Sequence, residues 1–159
     1  MMKTISKIAS LILGLAMTQN GMAQDIWKND FSNKDEVLNT VGRGECRIVN
    51  GVFRSKGSYA CFGNPEWKNY TVSFKARAPK DAEQVQIWAG FRTHNRFDRY
   101  VVGIKGGLQD DLYLMRTGYM GTDEFMGVRP LGFHPVPGEW YKIKVEVCGD
   151  RIRVFVEDN

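Results

Sequence analysis

Apolar and polar positions alternate with a period of two along most of the chain, most sharply between Glu83 and Gly107. Over Glu83–Arg92 one set of positions collects Val85, Ile87, Ala89 and Phe91, and the other Gln86, Trp88 and Arg92. Successive side chains of a strand point to opposite faces, so this stretch predicts a strand with one face on a core and one in water. A polar loop runs to Asp98, and Arg99–Lys105 returns with Tyr100, Val102 and Ile104 inward before Gly106-Gly107. The outward set of the two strands is Gln86, Trp88, Arg92, Arg99 and Lys105.

The same reading extends in both directions. Ile48-Val49-Asn50-Gly51-Val52-Phe53 predicts a tight hairpin, because Asn and Gly both tolerate positive φ, with Val49 opposite Val52 and Ile48 opposite Phe53. A separate short strand is expected at Tyr59–Phe62, before Gly63-Asn64-Pro65. Thr71–Ala78 turns Val72, Phe74, Ala76 and Ala78 inward and Lys75 and Arg77 outward, and Pro79–Ala82 makes a turn. Leu112–Thr117 is the next strand. Residues 118–138 lose the alternation and read as a long apolar loop that packs on something or lines a site. Trp140–Val147 and Arg151–Val156 form a last hairpin around Cys148-Gly149-Asp150. A short helical turn is expected at Asn33–Leu38. About nine short strands and no substantial helix predict an all-β antiparallel sandwich or barrel.

The first residues follow another rule. Met1–Lys7 is short and basic, Ile8–Met17 apolar, and Gly21-Met22-Ala23 small, as in an export leader cleaved before Gln24. Ten apolar residues are too few to span a bilayer. The expected organisation is a leader at 1–23 and one domain at 24–159, in the periplasm or outside the cell, with no membrane attachment after cleavage. The formal charge is +4, and Lys3 and Lys7 of the leader account for two of it. The remaining basic residues interleave with acids, which speaks against a nucleic-acid partner.

Cys46, Cys61 and Cys148 are an odd number, so at least one thiol stays unpaired, while Cys46 and Cys61 on neighbouring strands are candidates to pair. With His94 and His134 the only histidines, a zinc-type cluster is not expected. No cofactor is implied; Asp30 and Asp110-Asp111 offer hard oxygen ligands that would suit Ca2+. There is no Gly-x-Ser-x-Gly nucleophile elbow, and the Gly106-Gly107 pair precedes a strand rather than a phosphate-binding helix.

Several pieces in this order carry a family resemblance: Asn50-Gly51-Val52-Phe53-Arg54, Trp67-Lys68-Asn69-Tyr70-Thr71-Val72, Ala89-Gly90-Phe91-Arg92, Asp98-Arg99-Tyr100-Val101 and Gly138-Glu139-Trp140-Tyr141-Lys142. Together they resemble the concanavalin A-like (laminin-G-like) jelly roll of secreted bacterial carbohydrate-active enzymes, over almost all of Trp27–Asp158. Gly106-Gly107-Leu108 and Met115–Gly132 are similar to modules at the front of family 2-type β-galactosidase-like enzymes. The resemblance implies a jelly-roll β-sandwich that lacks its last strands, with a catalytic domain elsewhere in the same parent chain.

Hydrolysis on that fold uses a Glu-x-Asp-x-(x)-Glu strand, whose two glutamates act as nucleophile and acid/base about 5 to 5.5 Å apart. This sequence has none. Asp81 and Glu83 sit at a turn, Asp123 and Glu124 would point to opposite faces, and Glu139, Glu146 and Glu157 lie on separate elements. No catalytic residue is expected here. Recognition remains: an indole with amide and guanidinium neighbours can stack on a sugar and hydrogen-bond it, an acidic sugar included. The expected carbohydrate-binding set is Gln86, Trp88, Arg92, Arg99 and Lys75. Three readings follow: a carbohydrate-binding module of a glycoside hydrolase, a hydrolase of the 3-keto-disaccharide type acting alone, and a structural module docked on its catalytic domain. The plain structural reading of Trp88 is that it covers a neighbouring loop.

Overall fold

The computed structural model describes residues 9–17, 24–25, 27–33, 39–64, 66–95, 98–118 and 122–157. Every regular element among them is a strand: β1 (Ala9–Met17), β2 (Gln24–Asp25), β3 (Asn39–Val49), β4 (Val52–Cys61), β5 (Tyr70–Ala76), β6 (Gln86–Asn95), β7 (Asp98–Lys105), β8 (Asp111–Thr117), β9 (Glu124–Pro130), β10 (Tyr141–Cys148) and β11 (Arg151–Glu157). The expected helical turn lies almost wholly outside the described residues.

Three antiparallel sheets result: β11-β10-β5-β1-β2, β6-β7-β8-β9, and the β3-β4 hairpin. The two larger sheets share one core. Val72, Phe74 and Ala76 of β5 and Ile143, Val145 and Val147 of β10 meet Ile87 and Phe91 of β6 and Val102 and Ile104 of β7. Strict alternation on each strand sends these side chains to the common interior, where burying each Val, Ile or Phe is worth roughly 1.5–3 kcal/mol. The protein is therefore an all-β antiparallel sandwich.

Hairpin registers follow the alternation closely. Val49 pairs with Val52 and Ile48 with Phe53, and Asn50 and Gly51 take φ of 52° and 69°. Ile143 pairs with Val156 and Val145 with Val154. Three elements depart from expectation. β4 runs unbroken to Cys61, because Gly57 (φ 66°) absorbs a register shift instead of ending the strand. The expected loop at 118–138 contains β9, paired to β8. Within the stretch expected as a leader, β1 pairs with β5 and with β2.

The proposed Cys46–Cys61 pairing does not occur, and all three cysteines are free. In the β3-β4 ladder Cys46 lies opposite Ser55 and Cys61 opposite Asn39. That separates them by about 23 Å along the hairpin at roughly 3.3 Å per residue, against the 7 Å or less between α-carbons that a disulfide requires.

A candidate ligand cleft on the outer face of the four-stranded sheet

Ladder register builds this face row by row. The first row is polar: Gln86 pairs with Lys105, and Lys105 with Asp111. The second is aromatic, running Trp88, Gly103, Tyr113, Val128. The third is Gly90, Val101, Met115, Phe125. On β6, β7 and β8 these residues alternate with core residues, so they project away from the interior, and Val128 and Phe125 pair beside them on the exposed edge strand β9.

Gly103 shapes the middle row. A β-carbon there would collide with the Tyr113 ring, so the missing side chain lets that ring lie across β7. Tyr113 is only 6% exposed and forms the floor, while Trp88 at 39% and Phe125 at 66% stand up as walls. The rings are in edge contact, with centroids 5.5 Å apart for Trp88 and Tyr113 and 6.3 Å for Tyr113 and Phe125. Burial pushes the Tyr113 hydroxyl well above its ordinary pKa, so it stays a neutral phenol. Val101, Met115 and Tyr113 form a small apolar cluster beneath the surface.

The result is a shallow cleft of about 260 Å³ lined by Gln86, Trp88, Lys105, Asp111, Tyr113 and Phe125, with Met115 and Val128 completing it. This is below the roughly 300–1,000 Å³ of pockets that hold drug-sized ligands, and suits one ring rather than several.

Of the five residues expected to bind carbohydrate, Gln86 and Trp88 lie in this cleft and three do not. Arg92 is the clearest correction. Its backbone adopts φ 47°, and the β6-β7 ladder breaks between Phe91 and Asn95, so the alternation that assigned it to the Trp88 face ends there. Its amide N–H donates to the Tyr70 hydroxyl at 2.9 Å, and its guanidinium donates to the carbonyls of Lys68 (2.9 Å) and Gly149 (2.7 Å). Arg92 thus ties β6 to the segment before β5 and to the β10-β11 turn.

Arg99 does project outward, but it lies 4.5 Å over the Tyr59 ring, in space left by Gly90. Lys75 is on the wrong sheet. It projects from β5 between the buried Phe74 and Ala76, away from the core on the opposite side of the sandwich. Only the pairing of β5 with β10 rather than β6 reveals this.

Six lining residues were missed or unassigned: Lys105, Asp111, Tyr113, Met115, Phe125 and Val128. Tyr113 was recoverable, since it alternates with Leu112 and Leu114 and so shares the face of Trp88. Phe125 was not, because it sits in the segment read as loop.

No family model matches the chain, and no curated protein or solved structure matches it.

The aspartates considered for Ca2+ are dispersed. Asp30 accepts from the Ser32 amide at 2.9 Å, and Asp110 accepts from His134 Nδ1 at 2.9 Å and the Gly107 amide at 3.3 Å. Those bonds hold both carboxyls below their ordinary pKa. Asp111 lies in the cleft. Among the described residues no group of three or more His, Cys, Asp or Glu could hold a metal ion. Nor, among them, is any helix long and apolar enough to cross a membrane.

Proposed function

We propose that this protein is a carbohydrate-binding module, in the expected setting of an exported glycoside hydrolase of jelly-roll type. The observation that carries the reading is the aromatic row: Trp88 and Phe125 stand exposed on either side of the Tyr113 floor, beside the polar row of Gln86, Lys105 and Asp111. Aromatic rings accept the C–H face of a pyranose, while amide, ammonium and carboxylate hydrogen-bond its hydroxyls. Catalysis in the cleft is disfavoured, because Asp111 is the one carboxylate among its described lining residues and hydrolysis of the two-carboxylate kind needs a pair.

Affinity electrophoresis through gels containing polysaccharide tests the reading. Trp88→Ala is expected to lose retardation by about tenfold in apparent affinity, since one stacked aromatic contributes on the order of 1 kcal/mol or more. Equal retardation of the two proteins removes the cleft from the account.

A second reading, docking against a catalytic domain, is favoured by β9. All its residues are exposed, and Phe125, Met126 and Val128 are apolar. A structure of a parent enzyme with β9 covered would support it.

A further inference from the structure

The charges of the cleft select among sugars. We infer that the ligand is a neutral pyranoside and not a uronic or sulfated one; this rests on the carbohydrate-binding reading above. With Arg92, Arg99 and Lys75 elsewhere, Lys105 is the only cation among the described residues lining the cleft, and Asp111 the only anion. The two are direct ladder partners on β7 and β8, on the same outward side. Side chains directly opposite on one face of an antiparallel pair have β-carbons about 4.5–5.5 Å apart, so each charge sits in the other's field.

An acidic sugar brought to Lys105 therefore also meets Asp111. The ammonium cannot give a full counter-charge, and the carboxylate repels. A neutral sugar meets no such conflict. Asp111 offers acceptor oxygens to two adjacent hydroxyls, while Lys105 and the Gln86 amide donate to ring or hydroxyl oxygens. Arg99, the next cation on this face, lies beyond the Val101–Met115 row and is engaged with Tyr59. The remaining contact surface is Trp88, Tyr113, Phe125, Met115 and Val128, which offers a charged ligand no compensation for lost hydration.

The test runs the full chain through native gels containing a neutral polysaccharide (β-1,4-galactan or mixed-linkage β-glucan) or an acidic one (polygalacturonate), at about 20 mM and about 300 mM NaCl, conditions that change screening several-fold. Phe125→Ala accompanies Trp88→Ala, because a side chain so exposed is removed without disturbing the fold. The expected result is retardation by a neutral gel that both substitutions weaken, that changes less than about twofold with salt, and that polygalacturonate does not reproduce. Retardation by polygalacturonate that depends on Trp88 and Phe125 and disappears with salt overturns the inference and leaves carbohydrate binding standing. Retardation in no gel, or retardation indifferent to both substitutions, overturns the binding reading itself and this inference with it.

Discussion

The two outer faces of the sandwich are built on the same core and differ in how their side chains are satisfied. On the five-stranded sheet the outward residues answer one another. Lys142 pairs with Glu157 at 2.9 Å, Glu146 accepts from both Lys144 and Arg153, and Lys144 covers the Phe155 ring at 4.3 Å. On the four-stranded sheet the outward residues are aromatic and aliphatic, with a short polar edge. A face whose charges close on each other is a solvated surface, and exposed pairs of this kind add little to stability. The other face leaves Trp88 partly and Phe125 largely exposed on either side of Tyr113. The difference separates a face whose charges are paired from the face on which we propose that a ligand sits.

Gly103→Ala breaks the comparison most severely. Its β-carbon meets the Tyr113 ring, and overpacking of this kind costs about 1–3 kcal/mol, visible as a lower urea midpoint. Glycan retardation should fall with it, since the floor of the cleft is displaced. The equivalent change on the other face, Lys75→Ala, should move neither.

Removing the segment expected as a leader acts on the five-stranded sheet and on β4, which also lies against β1, and not on the ligand face. A chain beginning at Gln24 lacks β1, so the β5 amides that point toward it lose their ladder partners. In an antiparallel strand these are alternate residues. Hydrogen exchange at every second β5 amide should quicken by about tenfold or more, while β6–β8 amides and glycan binding stay unchanged. Uniformly quickened exchange in β6–β8 would show that β1 supports the whole sandwich.

Alternation made the core and three hairpins legible, because half-buried antiparallel strands must segregate their faces. It failed where other forces decide. β9 is an edge strand with no buried face, so it leaves no period in Glu124–Pro130. Arg92 belongs by count to the Trp88 face, yet its positive φ ends the count one residue after Phe91. Lys75 was assigned correctly to an outward face but to the wrong sheet. Which strand neighbours which depends on long-range pairing that local pattern does not encode.

The smallest effect is on pH dependence. The His134 contact lowers the Asp110 pKa, and Lys142 lowers that of Glu157. A carboxyl held below its unfolded value contributes stability that is complete above about pH 5.5 and is lost as pH falls through the unfolded and then the depressed folded value. Glu157 is exposed and Asp110 partly so, and the loss is slight. Asp110→Asn should remove part of the fall in urea midpoint between neutral and strongly acidic pH, and a double variant with Glu157→Gln should remove more.

The most direct test of the ligand face is a chemical-shift titration of the 15N-labelled chain with a neutral oligosaccharide that retards it in gels. The account predicts that the Trp88 indole and the amides around Gly103, Tyr113 and Phe125 move together and saturate, while those of Lys75, Lys144 and Arg153 stay fixed. Saturable movement confined to the β5, β10 and β11 positions would place the ligand on the opposite face and contradict it.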